Sequence, residues 1–241
     1  KHSKHKIALI FSAMRHFRKE LESRGFKVHY FEYSREGPKT LLDAVNRALS
    51  VQPVDELRCC QPGEYRLQEE MQAWPLPVPL RLYPDDRFLC STEDFQAWAD
   101  GRKQLRMEYF YRLMRRKYQI LLDDDEKPAG GQWNFDAQNR KGWRDQEPVP
   151  DRPTPVPDAI TSQVIELVKR EFPDHPGDLD RFYLATTSGE ARSHFDWFLQ
   201  NCLGRFGTYQ DALAEESPWL FHSLISMYLN IGLLDPLELC L

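Results

Sequence analysis

The chain has 241 residues with a formal net charge of -5, 41% hydrophobic and 12% aromatic content, and a mean hydropathy of -0.63. That is enough to bury one large core or two modest ones without disulfide staples, and no apolar run approaches the roughly 20 residues that span a bilayer, which counts against a membrane protein. The five cysteines, Cys59, Cys60, Cys90, Cys202 and Cys240, form no CxxC pair and no zinc spacing, which favours a reducing cytoplasm with most of them plain core thiols, while the acidic total leaves room for a local basic face.

The opening segment places Ile7, Phe11, Met14, Phe17 and Leu21 at steps of three and four, the spacing of one buried helical stripe, and Gly25 is suited to end that helix. Lys27 to Tyr33 has the aromatic and branched content of a strand. Leu41, Leu42, Val45, Ala48 and Leu49 make the next helix, and Leu57 to Cys60 is a short apolar run closed by Pro62-Gly63. Tyr65 to Trp74 reads as a helix and Val78 to Tyr83 as a strand. Phe95 to Ala99 reads as a helical turn behind the cap candidates Ser91 and Thr92. Strands alternating with helices predict a parallel sheet covered on both faces.

From about Asp123 the composition changes. Four consecutive acids are followed by Pro128, Gly130, Gly131 and a run of prolines from Pro148 to Pro157, the signature of a long linker. After Asp158 the pattern is helical only. Ile160, Val164, Leu167 and Val168 share a stripe that Pro173 breaks. Thr187 and Glu190 form a capping box that launches Phe195, Phe198, Leu199, Cys202, Leu203 and Phe206. The reading is therefore a Rossmann-like α/β domain over 1–121, a Pro-rich linker over 122–157 and the beginning of an all-α domain over 158–241. Lys1 in place of Met, the basic start of Lys1, His2, Lys4, His5 and Lys6, and the apolar Leu239-Cys240-Leu241 read as cuts inside structure.

Short phosphate, dinucleotide, hydrolase and metalloprotease motifs are absent, and the seven histidines form no ligand cluster. Three segments stand out. Arg102, Lys103, Arg106, Arg112, Arg115, Arg116 and Lys117 form a basic stretch broken by one acid, Glu108, on an amphipathic helix with Tyr109, Phe110 and Tyr111. Such a patch serves either as a solvated face or as a phosphate-contacting surface. The octet Trp133 to Arg140 packs two aromatics, an acid, two amides and an arginine into the linker, so it is expected to dock, either as a structural plug or with Asp136 and Arg140 in a polar role. Ser223 and Ser226 lie three apart at an expected helix start, where they serve either as a plain cap or, with free backbone N–H groups, as a grip for a pyrophosphate.

The runs Phe11 to Phe17, Met107 to Lys117, Trp133 to Arg140 and Phe206 to Asp211 together resemble the photolyase-related family that contains bacterial (6-4) photolyases, in the family's order and over essentially the whole chain. The resemblance implies a Rossmann-like antenna domain lacking its first strand and helix here, followed by the start of an FAD-binding helical domain. His222, Ser223, Leu224 and Ser226 then correspond to the family's phosphate-binding Thr-Ser-x-Leu-Ser stretch, with departures at His222 and Ile225. Tyr209 is similar to the tyrosine on the flavin's phosphate side. Asp136 and Arg140, with Arg112 and Arg116 of the basic helix, are the expected DNA contacts. The implied cofactors are FAD, a 6,7-dimethyl-8-ribityllumazine antenna and a 4Fe-4S cluster whose cysteines, like the electron-feeding tryptophans, lie beyond Leu241. The implied activity is light-driven repair of pyrimidine dimers, most specifically (6-4) photoproducts, by a cytoplasmic monomer acting on UV-damaged DNA. No residue of this chain is assigned to catalysis itself. The rivals are a cryptochrome-like light sensor and a cofactor-free nucleic-acid-binding module.

Overall fold

The computed structural model describes residues 2–144 and 148–241; Lys1, expected in the basic start, lies outside them. Contacts divide the chain into one unit of Leu21–Ala97 and another of Lys1–Glu20 with Trp98–Leu241. The architecture is mostly helical with one small two-stranded parallel sheet.

Helix α1 (Lys4–Ser23) begins in the larger unit and ends in the smaller. It stops where expected: Gly25 sits at φ +84°, and the N–H groups of Gly25 and Phe26 close on Glu22 and Leu21 carbonyls at 3.0 Å each. In the smaller unit, Thr40 caps α2 (Leu41–Val51) by accepting the Asp43 N–H at 3.0 Å. Strand β1 (Leu57–Cys60) pairs in parallel with β2 (Leu80–Tyr83), Leu57 opposite Leu80. Helix α3 (Tyr65–Gln72) connects them as the right length of chain for a parallel crossover.

Two elements are shorter than predicted, both because of proline. Pro75 ends α3 before Trp74. Pro79 lacks an N–H and so delays β2 to Leu80, although its carbonyl still accepts the Leu57 N–H at 2.9 Å. The strand expected over Lys27 to Tyr33 does not form. Its composition suits a sheet, but it makes no ladder with β1 or β2, and His29 instead meets the Gln52 side chain at 3.2 Å. Ser91 caps α4 (Thr92–Ala99) through the Asp94 N–H at 3.0 Å. Met71 is the buried hydrophobic among this unit's described residues, so two strands and three helices enclose little core.

The larger unit holds the main core. Ile7, Ala8 and Leu9 of α1 cluster with Val164, Ile165 and Val168 of α6 (Ala159–Glu171), with Leu179, Phe182, Leu184 and Ala185 of the following loop, and with Ala191 of α7 (Ser188–Asn201). The face of α1 that packs is not the full predicted stripe. Met14 and Phe17 are 51% and 56% exposed, and the small residues Ala8 and Ser12 are buried instead. His16 marks the same junction: its ring lies 3.4 Å from both Thr161 Oγ1 and Asp158 Oδ1, at the N-terminus of α6 that Asp158 caps. The predicted capping box of α7 is present in full, with Thr187 and Glu190 each bonding the other's backbone N–H. A second cluster joins Phe195, Phe198 and Cys202 to Ala212, Leu220 and Phe221 beyond α8 (Leu203–Tyr209). Leu199 and Leu203, predicted with that stripe, are exposed: Leu199 lies off the buried α7 face of Ala191, His194, Phe195 and Phe198, and Leu203 follows the turn at Cys202 between α7 and α8.

Candidate functional site

The segment 222–226 follows α8 and leads into the five-residue helix α9 (Ser226–Asn230). Two leucines in its approach, Leu220 at φ +40° and Leu224 at φ +51°, hold left-handed backbone that side chains other than glycine rarely adopt. Ile225 follows at φ -98°, ψ -6°. A left-handed residue followed by a right-handed one turns successive N–H groups toward one concave side, the arrangement that receives anions. No N–H of residues 223–227 has a protein acceptor among the described residues. The residue flanking α9 is Ile225, and neither serine caps the helix, so the plain-cap use of Ser223 and Ser226 is not realised. Ser226 is exposed and Ser223 half-buried.

His222 stands edge-on to Phe206 with ring centroids 5.7 Å apart, and its N–H bonds the Trp219 carbonyl at 2.8 Å, so it shapes the turn. Tyr209, at the end of α8, stacks on Phe221 at 5.7 Å and meets the edge of Trp143 at 5.4 Å. Its ring is thereby held within two residues of the His222 turn.

Of the basic stretch, Arg112, Arg115, Arg116 and Lys117 fall on α5 (Met107–Tyr118), the last three in its final turn, where the helix dipole favours them, whereas Arg102, Lys103 and Arg106 precede the helix, which is shorter than expected. The structure gives its arginines different surroundings. Arg115 is only 7% exposed, and its guanidinium donates to the Ile120 carbonyl at 3.1 Å and to the Leu121 carbonyl. It braces the helix end and is no free phosphate contact. Arg112 pairs with Glu108 one turn back. Arg116 is exposed, and its guanidinium has no carboxylate or carbonyl partner among the described residues. All three lie over the ring of Trp133, with guanidinium carbons 5.5, 5.0 and 4.8 Å from its centroid for Arg112, Arg115 and Arg116.

Trp133 thus docks the linker octet on α5, and the octet's far end docks on α8. The Asn139 side chain fills the space a Cβ on Gly207 would take, at 3.3 Å, and the Lys141 N–H bonds the Thr208 carbonyl at 3.3 Å. Asp136 opens a short 3-10 turn, Asp136–Gln138, its N–H held by Asn134 Oδ1 at 2.7 Å. The Asp136 and Arg140 side chains are exposed. The four expected DNA contacts are therefore split between α5 and the strap, with Trp133 joining the two.

Sequence reasoning missed a buried polar network around α9. Tyr228 of α9 accepts the Ala185 N–H at 3.0 Å and meets His194 Nδ1 at 3.2 Å. Burial, then the Arg152 charge, hold the His194 pKa below its usual value. Burial lowers the Arg152 pKa as well and raises that of the Cys202 thiol. The available signal was His194 itself, placed on the α7 stripe with Ala191 and Phe198. Among the described residues no group of three or more His, Cys, Asp or Glu could hold a metal ion, and no helix is long and apolar enough to cross a membrane.

The mostly helical protein thus presents a run of unpaired amides at residues 223–227 and an arginine surface braced by a linker segment. Residues 1–184 match the family described as deoxyribodipyrimidine photo-lyase-related protein, and the chain belongs to that family. It is 43% identical over 242 residues to a (6-4) photolyase of Agrobacterium fabrum, a match that covers 99% of this chain and 48% of that protein. The chain thus spans about half the length of that relative. It is also 23% identical over 142 residues to an uncharacterized protein, R852, of Acanthamoeba polyphaga mimivirus, covering 56% of this chain and 70% of the viral protein.

Proposed function

We propose that this chain is the front half of a light-driven, FAD-dependent DNA photolyase acting on (6-4) photoproducts. The observation that carries the reading is the run of unpaired amides at residues 223–227, with the left-handed Leu224 followed by the right-handed Ile225 within it. A doubly charged pyrophosphate needs several convergent donors, and a backbone nest supplies them without burying a counter-charge. In this reading the amides of Leu224 to Ser226 and the hydroxyls of Ser223 and Ser226 hold the FAD phosphates. His222 fixes the turn through its backbone, and Tyr209 lies on the same side. When bound, FAD supplies the photochemical electron transfer; the protein supplies placement and exclusion of water. The lesion strand is held by Arg112, Arg116, Asp136 and Arg140.

The proposed organisation keeps an antenna-type domain over 1–121, the linker over 122–157 and a helical FAD domain over 158–241. A lumazine antenna and a 4Fe-4S cluster complete the reading, and the described residues gather no ligand set for the cluster. The test is the protein extended to the length of the Agrobacterium relative. It should purify yellow and restore (6-4) lesions under blue light, whereas a sensor would leave them intact. Leu224→Gly keeps the left-handed backbone and should retain flavin. Leu224→Val adds β-branching to a backbone already strained with leucine and should weaken flavin binding severalfold, from roughly 1 kcal/mol of added strain. Colourless protein, or flavin held equally by Leu224→Val, would refute the reading.

A further inference from the structure

The basic face of α5 poses a physical problem: three guanidinium groups crowd one indole ring, and like charges this close repel. Two are compensated locally, Arg112 by the Glu108 carboxylate and Arg115 by two backbone carbonyls and burial. Arg116 has neither form of compensation, is exposed, and lies nearest the ring at 4.8 Å. Stacking occupies the flat face of a guanidinium and leaves its N–H edge available. Arg116 is therefore an oriented donor fork with no protein acceptor.

We infer that Trp133 is a positioning residue that makes Arg116 the phosphate-reading group of this surface, with the phosphodiester backbone of nucleic acid as its occupant. Charge complementarity identifies the occupant. Within Met107–Tyr118 four cations face one acid, and that acid is already committed to Arg112. The fork matches two phosphate oxygens, and the exposed rings of Tyr109 and Tyr111 flank the site as stacking surfaces. The ring that orients Arg116 comes from the linker, whose other end is fixed on Gly207 and Thr208 of α8, so the phosphate contact depends on the strap being docked. The inference rests on the DNA-binding part of the proposed function and names how that surface is organised.

The experiment is fluorescence anisotropy of the full chain with a labelled, undamaged duplex in the dark, over a salt series. Arg116→Gln should weaken binding and lower the salt slope by about one. Trp133→Leu should weaken binding about three- to tenfold with the slope unchanged, because it removes orientation but no charge. Trp133→Phe, which keeps a ring, should stay within about threefold of wild type. In the Trp133→Leu background, adding Arg116→Gln should still lower the slope by about one but should cost less affinity than it does in the wild-type background. Tighter binding by Trp133→Leu would mean that the ring covers the arginine, and equal losses of affinity from Arg116→Gln in both backgrounds would mean that the two are independent. Either result overturns the inference. Should Trp133→Leu fail to fold by circular dichroism, an Arg116→Gln protein with unaltered affinity and slope overturns it alone. A yellow, lesion-repairing protein that fails these tests loses only the Trp133–Arg116 assignment, whereas colourless protein that passes them loses only the flavin reading.

Discussion

Tyr228→Phe isolates the buried polar network. Tyr228 is 1% exposed, and its hydroxyl oxygen accepts the Ala185 N–H at 3.0 Å. The hydroxyl also shares a hydrogen bond with His194 Nδ1, 3.2 Å away, donating to it or accepting from it according to the imidazole tautomer, while His194 Nε2 is buried without a partner. Deleting the hydroxyl strands the Ala185 N–H and His194 Nδ1, and a switch of His194 tautomer restores neither. Two such losses cost about 2–4 kcal/mol, or roughly 5–12 °C in Tm for a domain of this size. The same geometry fixes a pH dependence. Burial, then Arg152, lower the His194 pKa in the folded state, so the unfolded chain takes up the proton first on acidification. This contribution to stability is complete above the unfolded value near ~6.5 and is lost as pH falls below it, until the folded group also protonates. Urea unfolding followed by circular dichroism between pH 5 and 7.5 reads both effects. A Tyr228→Phe protein within about 0.5 kcal/mol of wild type, or a wild-type stability flat across this range, would refute the reasoning.

Glu190→Ala removes a carboxylate oxygen that accepts the Thr186 N–H at 2.8 Å and the Thr187 N–H at 3.2 Å, and should cost about 1–2 kcal/mol in urea unfolding. Gly130→Ala and Gly131→Ala should differ although both glycines sit at φ +81°: a Cβ on Gly130 would meet Phe135 Cζ at 2.9 Å, while one on Gly131 meets nothing within 4 Å. Both lose about 1 kcal/mol to backbone conformation, and Gly130→Ala should additionally loosen the strap, read as faster tryptic cleavage after Arg140 and Lys141.

Helix ends were the most legible part of the fold because they depend on local chemistry. Thr187 with Glu190, Asp158 before α6, Ser91 before α4 and Gly25 after α1 all act as their residue types dictate. Faces were less legible. The stripe of α1 predicted from hydrophobicity includes Met14 and Phe17, but the face that is buried takes in the small Ala8 and Ser12, and which neighbour a helix meets is a tertiary fact. Lys27 to Tyr33 illustrates the same limit for strands, since a ladder requires a partner that composition does not supply.

The candidate site divides along the same line. Ser223 and Ser226 mark the segment by residue type, but what distinguishes an anion nest from a cap is the sign of φ at Leu224, and leucine carries no propensity for the left-handed region. A residue held there against its preference must be over-determined by its surroundings, and such strain gathers where backbone is shaped for a ligand. Charge counting likewise treats Arg112, Arg115 and Arg116 as equivalent. Their separation into ion-paired, buried and open groups follows from Glu108, the carbonyls after α5 and a tryptophan from the linker. A run of cations therefore specifies the sign of a partner, while the residues that compensate some of those cations decide which one is left to touch it.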